Sequence, residues 1–162
     1  MNKKEIYDYL KQKNIWYEIT KHKAVYNMND LLDVKLPYPE GDAKNIFVRD
    51  DKKKNYYLIT IKGTKKVNLK EFRHENNTRP LSFASENDLL ELLNLTPGSV
   101  TPLGLLNDKN HKVEFFIDCE LLEEPGIIGV HPNENTATVW LKTSDLLAIL
   151  EENNVKVHLV KI

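Results

Sequence analysis

The chain contains little cysteine and no long apolar run. Its 162 residues include one cysteine, Cys119, which excludes an intramolecular disulfide and a thiolate metal cluster and favours a buried structural thiol. No apolar stretch approaches the ~20 residues that a membrane-spanning helix needs, and the polar N-terminus, Asn2 to Glu5, is unlike a secretory signal. We therefore expect a cytoplasmic protein with no membrane partner.

Sequence signatures of nucleotide and metal chemistry are also missing. Neither a phosphate-binding P-loop nor a dinucleotide-binding fingerprint occurs, because Gly63 and Gly104 lack the required neighbours. Five histidines are present, but none forms a His-x-x-x-His pair and none lies at ligand spacing from the cysteine. No Gly-x-Ser-x-Gly elbow marks a serine nucleophile, although Ser99 lies in a glycine-led loop. We expect no metal and no cofactor.

The composition is that of a globular protein, with 41% hydrophobic and 29% charged residues. A chain of this length fits one domain, 1–162, that buries a core without disulfides or metal. Helical and strand patterns are interspersed and include at least one hairpin. They predict an α/β fold with a sheet of mixed strand direction.

Turn and capping signals place the elements along the chain. Ser85 with Asp88 three residues on resembles a capping box and predicts a helix that ends near Asn94. A polar stretch between β-rich runs at 44–49 and 56–61 predicts a hairpin with an exposed tip. Other helices are predicted at 3–14, 30–33 (capped by Asn27 or Asn29), 69–74 and 145–153 (capped by Thr143 or Ser144), and other strands at 16–20, 113–119, 138–141 and 155–160.

Charge is unevenly distributed although the net charge is −1. Residues 44–80 carry eleven Lys or Arg against four Asp or Glu, a balance of +7, whereas residues 81–162 balance at −8. Lys52, Lys53 and Lys54 form the predicted hairpin tip. A lysine-rich tip is either a solvated turn or a surface that meets the phosphates of a nucleic acid.

The segment from Gly98 to Pro102 is the most informative loop. Glycine lets backbone N–H groups approach a ligand closely, and proline fixes the local backbone angle. Such a loop can offer its amides to a carbonyl oxygen or a phosphate, although an ordinary connection has the same composition.

Five segments in order resemble the YbaK/prolyl-tRNA synthetase editing-domain family, most closely its free-standing ProX branch, which hydrolyses alanyl-tRNA(Pro). The resemblance covers nearly the whole chain. The segments are Lys44-Asn45-Ile46-Phe47-Val48-Arg49-Asp50, Tyr56-Tyr57-Leu58, Leu81-Ser82-Phe83-Ala84, Gly98 to Asp108, and Gly129 to Thr138. It implies a barrel-like core of mixed β-sheet with surrounding helices, and water attack on an aminoacyl ester without a protein nucleophile.

The resemblance also implies roles for single residues. Lys44 would engage the 3′-end phosphate of tRNA or hold the substrate in register, with Asn45 beside it. Backbone amides would face the scissile carbonyl from the loop of Gly98, Ser99, Val100, Thr101 and Pro102. His131 would position the amino group or the water. Gly129 would line the substrate site. The basic tip at Lys52, Lys53 and Lys54 would contact tRNA. The partners implied are the 3′ acceptor end of tRNA(Pro) and, transiently, prolyl-tRNA synthetase.

Two alternatives stay open. Within the family, the YbaK branch deacylates cysteinyl-tRNA(Pro). From a different class, the chain could be a non-catalytic tRNA-binding or regulatory module that kept the fold. The chain retains Lys44, Asn45, the Gly98–Pro102 loop and His131 together. This combination favours an enzyme, because binding alone does not need all of them.

Overall fold

The computed structural model describes residues 1–24 and 35–162, in which eight strands form two sheets. The strands are β1 Tyr17–Lys21, β2 Ala43–Asp50, β3 Tyr56–Lys62, β4 Leu81–Phe83, β5 Val113–Asp118, β6 Ile127–Val130, β7 Ala137–Lys142 and β8 Val157–Val160. The α-helices are α1 Lys3–Gln12, α2 Leu69–Asn76, α3 Glu86–Leu93 and α4 Thr143–Glu152, and short 3-10 helices cover Pro39–Gly41, Pro102–Asn107 and Cys119–Leu122. The helix predicted at 30–33 lies outside the described residues.

The larger sheet has the order β4-β2-β3-β5-β8 and mixes strand directions. Strand β2 is antiparallel to β3 and β4, whereas β3, β5 and β8 run parallel. The smaller sheet, β1-β7-β6, is antiparallel throughout. The predicted α/β class with a mixed sheet is confirmed, and the predicted hairpin is the β2–β3 pair.

The two faces of the larger sheet bury different groups, because side chains alternate along a strand. One face packs with the smaller sheet and with α1, α3 and α4 around Phe47, Leu58 and Phe115. The other face carries Ile46 and Val48 and packs against α2. The core that joins both sheets therefore lies on the face of β2 that carries the odd-numbered residues.

Local capping signals proved reliable for α3. The Ser85 hydroxyl accepts a hydrogen bond from the N–H of Asp88, and the Asp88 carboxylate accepts one from the N–H of Ser85, which completes the predicted capping box. The helix ends at Asn94, whose φ of 53° is left-handed and closes the helix. This end delivers the chain into the Gly98–Pro102 loop.

Several predicted boundaries and two strands were wrong or missed. The sequence analysis did not identify β4 or β6, which are three and four residues long. Strand β5 ends at Asp118, so the half-buried Cys119 begins a 3-10 helix rather than ending the strand. Neither Thr143 nor Ser144 caps α4, because Thr143 already lies in the helix and its buried hydroxyl donates to Leu121 O at 2.7 Å.

Candidate active site

Asn45 joins the β2–β3 hairpin to the Gly98–Pro102 loop. Its Nδ2 donates to Val100 O at 3.3 Å, and its Oδ1 accepts from the hydroxyl of Thr60 on β3 at 2.5 Å. Thr60 faces Asn45 across the strand pair and is fully buried. The buried hydroxyl of Thr60 and the carbonyl of half-buried Val100 hold the amide on both sides, so its orientation is fixed before any ligand binds.

Thr101 joins the same loop to the end of β6. Its hydroxyl donates to His131 O at 2.7 Å and accepts from Leu103 N at 3.3 Å, where it caps the 3-10 helix that begins at Pro102. Thr101 is fully buried, so this hydroxyl is already used within the protein. Three separate segments of the predicted site therefore meet in space: residue 45, residues 98–102 and residues 129–131.

A small pocket opens beside these contacts, with a cavity volume of about 30 Å³. One water molecule needs roughly 10–15 Å³ by this kind of measure, so the pocket holds a group about the size of a methyl or two waters. The lining residues are Asp42, Ala43, Asn45, Gly129, Val130, His131 and Thr138. Gly129 is required in this wall, because a Cβ there would lie 2.6 Å from the Trp140 ring.

His131 presents one ring nitrogen that bonds to none of the residues that the structure describes. Its Nδ1 lies 3.0 Å from Ala137 O, an acceptor, so Nδ1 carries the proton in the neutral ring and Nε2 is left as an acceptor. Burial lowers the pKa of His131 below its ordinary value, the hydrogen bond to Ala137 opposes the shift, and nearby His22 adds to it. The ring is therefore neutral at pH 7.

His22 supports the pocket wall from the other side. Its Nδ1 lies 2.8 Å from Lys23 O and its Nε2 lies 2.9 Å from the Thr138 hydroxyl, so Nδ1 donates and Nε2 accepts. The rings of His22 and His131 are 6.1 Å apart. Sequence analysis identified neither His22 nor Thr138 as a site residue, although Thr138 ends one of the segments that carry the family resemblance.

Asp42 also lines the pocket and was missed. It follows the 3-10 helix Pro39–Gly41 and is partly buried. Burial raises the pKa of Asp42 to about 6, and a hydrogen bond from the N–H of Ala43 opposes the shift. The only available signal was its place directly before the segment Ala43-Lys44-Asn45, since a partly buried carboxylate leaves no pattern in a sequence.

The Gly98–Pro102 loop carries two amides without a backbone acceptor among the described residues and is hydrogen-bonded to Asn45 and His131 of the pocket lining. Gly98 has a φ of 88°, and Ser99 donates its N–H to Thr96 O at 3.0 Å to close the turn. Within residues 1–24 and 35–162, no backbone carbonyl accepts from the N–H of Val100 or Thr101. Ser99 itself is buried, which argues against its use as a nucleophile.

We expect Gly98→Ala to lower, on the order of 10-fold or more, the ester hydrolysis that the family resemblance implies. A side chain at this left-handed φ costs about 1–2 kcal/mol and shifts the two amides that follow. The matched control is Gly126→Ala, because Gly126 also has a positive φ, 66°, but lies in the turn before β6 and not in the Gly98–Pro102 loop. Thermal melts measure the stability of both variants, and initial rates measure their activity. Equal rate losses in both variants would mean that Gly98 matters only for folding.

Lys44 lies on the opposite face of β2 from Asn45. It pairs with Ile61, whose side chain belongs to the core on the α2 side, whereas Asn45 pairs with Thr60 on the pocket side. The Lys44 amine donates to Lys65 O at 2.9 Å. The structure therefore does not bring Lys44 into the pocket with Asn45 and His131, and its predicted role remains a prediction.

Lys52, Lys53 and Lys54 are exposed at the β2–β3 tip, away from the pocket. Seven residues of extended chain separate Asn45 from Lys52, which is roughly 20 Å at 3.3 Å per residue. Other cations of the basic segment are partnered by the acidic C-terminal part: Arg49 with Asp88, and Lys65 with Asp118 at 2.7 Å. The three lysines of the tip form no ion pair with another described residue, so their charges are available to an external phosphate.

This arrangement is that of an aminoacyl-tRNA editing domain. The profile described as "Aminoacyl-tRNA editing domain" matches residues 22–149, so the chain belongs to this family. No helix among the described residues is long and apolar enough to cross a membrane.

Named relatives agree with the family. "Prolyl-tRNA editing protein ProX" of Acetoanaerobium sticklandii is 35% identical over 144 residues, covering 89% of this chain and 87% of that protein. "Prolyl-tRNA synthetase associated domain-containing protein 1" of Mus musculus is 31% identical over 137 residues, covering 83% of this chain and 80% of that protein. A solved structure described as a candidate trans-editing enzyme for prolyl tRNA synthetase has the same fold, with a TM-score of 0.71 at 16% identity over 99% of this chain and 96% of that one.

Proposed function

We propose that this chain hydrolyses the ester of alanyl-tRNA(Pro). The observation that carries the proposal is the small pocket between the start of β2, the end of β6 and β7, with a volume of about 30 Å³. An alanine methyl fits such a space and the ring of proline does not. The ProX relative, named for prolyl-tRNA editing, supports the choice of tRNA(Pro) as carrier.

A second, hydrolytic pocket is needed because alanine is smaller than proline. A synthetase site built for proline discriminates against the smaller alanine by only about 1–3 kcal/mol, since only a few methylenes are missing. A smaller hydrolytic pocket that admits alanine and excludes proline removes the wrong product and spares the right one. Serine and glycine, which are also small, should be cleaved somewhat less well.

The chemistry uses water and backbone donors. An aminoacyl ester is already activated, and the vicinal ribose hydroxyl can orient or activate the attacking water. The N–H groups of Val100 and Thr101 are the donors for the oxyanion, and Nε2 of His131 is an acceptor for the water or the amino group. Asn45 holds the loop through Val100 O, which keeps the donors in place before the substrate arrives.

The hairpin tip contributes to tRNA binding. We expect replacement of Lys52, Lys53 and Lys54 by alanine to weaken tRNA affinity and flatten its salt dependence, because each phosphate contact releases counterions. The rate at saturating tRNA should change little, since the tip is far from the pocket. Lys4, Lys11 and Lys109, also exposed, give a control triple variant with the same loss of charge. Equal effects of both triple variants on the salt slope would refute a specific role for the tip.

The test of the function is ester loss from a panel of purified aminoacyl-tRNAs above the rate without protein. We expect alanyl-tRNA(Pro) to be deacylated, with the same rate in the presence of a chelator. Background rates on every member of the panel would support the non-catalytic alternative. Activity lost in chelator and restored by zinc would contradict the proposed water chemistry.

A further inference from the structure

The charge of the pocket points to a ligand group for which the proposed reaction supplies no charged partner. Of the described residues that line it, only Asp42 carries a formal charge at pH 7, because His131 is neutral there. Among the described residues, no lysine, arginine or histidine forms an ion pair with Asp42, and residues 25–34 contain none of these three residue types. The pocket therefore holds one carboxylate without a cationic partner.

A partly buried carboxylate of this kind repels phosphate and favours a cation. The 3′ end of an aminoacyl-tRNA has anionic phosphates, a neutral sugar and a neutral base. Its one cationic group is the α-ammonium of the amino acid. This group is bonded to the α-carbon, which also bears the alanine methyl and is bonded to the ester carbonyl carbon. A ligand that places the alanine methyl in this small pocket brings its ammonium group close to the pocket wall.

We infer that the Asp42 carboxylate binds the α-ammonium group of the aminoacyl ester. This inference rests on the proposed function. The carboxylate supplies the charge, while the Asn45 amide and Nε2 of His131 line the same pocket and offer further polar contacts. With a pKa of about 6, Asp42 is mostly ionised at pH 7, when most α-amino groups with a pKa near 7.7–8.0 are still protonated.

The consequence is selectivity for a free amino group. An ester whose nitrogen is acylated lacks the cation and has added bulk, so it loses the contact and meets the wall of the pocket. The site would then act on aminoacyl esters and leave N-acylated ones intact. Size alone would reject the N-acylated ester, but it would not reject an ester with a hydroxyl in place of the ammonium, because these two groups have nearly the same volume.

The test compares alanyl-tRNA(Pro) with lactyl-tRNA(Pro), in which a hydroxyl replaces the ammonium. Asp42→Asn is the test variant, since an amide oxygen can still accept from the N–H of Ala43. Asp8→Asn, a change of the same charge at an exposed position of α1, is the control. We expect Asp42→Asn to lower kcat/KM for the alanyl ester on the order of 10- to 100-fold and to leave the lactyl ester unchanged. Equal losses on both esters would overturn the inference.

A second measurement does not depend on turnover. The pKa of the Asp42 carboxyl is followed by NMR with a stable amide analogue, 3′-alanylamino-3′-deoxyadenosine, and with its lactyl counterpart. We expect the alanyl analogue alone to lower this pKa, and an unmoved pKa in the bound complex, or no binding of the alanyl analogue, would overturn the inference. If the wild-type protein leaves alanyl-tRNA(Pro) intact, the proposed function fails, and this titration still decides what Asp42 binds.

Discussion

Thr101→Val is expected to lower the free energy of unfolding by about 2–4 kcal/mol and deacylation on the order of 100-fold. The variant keeps the shape of a fully buried side chain but removes the hydroxyl that donates to His131 O at 2.7 Å and accepts from Leu103 N. The buried N–H of Leu103 and the partly buried carbonyl of His131 are left without this partner, each at a cost of about 1–3 kcal/mol. Loss of the tie also frees the loop relative to His131, and a displacement of about 1 Å is enough for a 100-fold loss of rate.

Thr101→Ser is the matched control, because it keeps the hydroxyl and removes only a methyl group. Denaturant melts give the stability, and initial rates on alanyl-tRNA(Pro) at a temperature where both variants are folded give the activity. We expect the serine variant to remain within a few-fold of the wild-type rate. If valine and serine variants deacylate equally fast, the hydroxyl does not hold the site together.

Lys44→Met is expected to lower deacylation by about 30- to 1000-fold, equivalent to about 2–4 kcal/mol in transition-state stabilisation. Methionine keeps the length of the side chain and removes the charge. At Lys44 the edge of β2 that β4 pairs is uncovered by any described strand, because β4 pairs only with Val48, Arg49 and Asp50. A flexible amine at this edge can exchange its bond to Lys65 O for a phosphate of a tRNA end whose aminoacyl group occupies the pocket.

Lys44→Arg keeps the positive charge and should retain part of the activity lost in the methionine variant. Filter binding at several salt concentrations, beside the rates, separates loss of a phosphate contact from loss of a structural tie. A folded methionine variant with wild-type rate and affinity, but a lower melting temperature, would show that Lys44 only holds the segment around Lys65.

Features with short-range causes could be predicted from the sequence. The capping box of Ser85 and Asp88 and the left-handed end at Asn94 depend on groups within a few residues of each other. The β2–β3 hairpin follows from two β-rich runs around a polar turn. The strands that were missed, β4 and β6, are too short to show a clear period, and their pairing partners are far away in the chain.

The composition of the pocket could be predicted only in part. The family resemblance identified Asn45, the Gly98–Pro102 loop and His131, and the structure brings these together. The same resemblance placed Lys44 beside Asn45, although adjacent residues of a strand point to opposite faces. Asp42 and Thr138 enter the pocket because β2, β6 and β7 meet there, and contacts between distant strands leave no local signal in the sequence.

Selection of the amino acid by the size of a small pocket is tested most directly by single-turnover deacylation. One tRNA(Pro) is charged in turn with alanine, cysteine or proline, and the three rates are compared. We predict that alanine is released fastest and that proline stays near the rate without protein. A faster release of cysteine would assign the chain to cysteinyl-tRNA(Pro) deacylation instead. Rapid release of proline would contradict selection by size altogether.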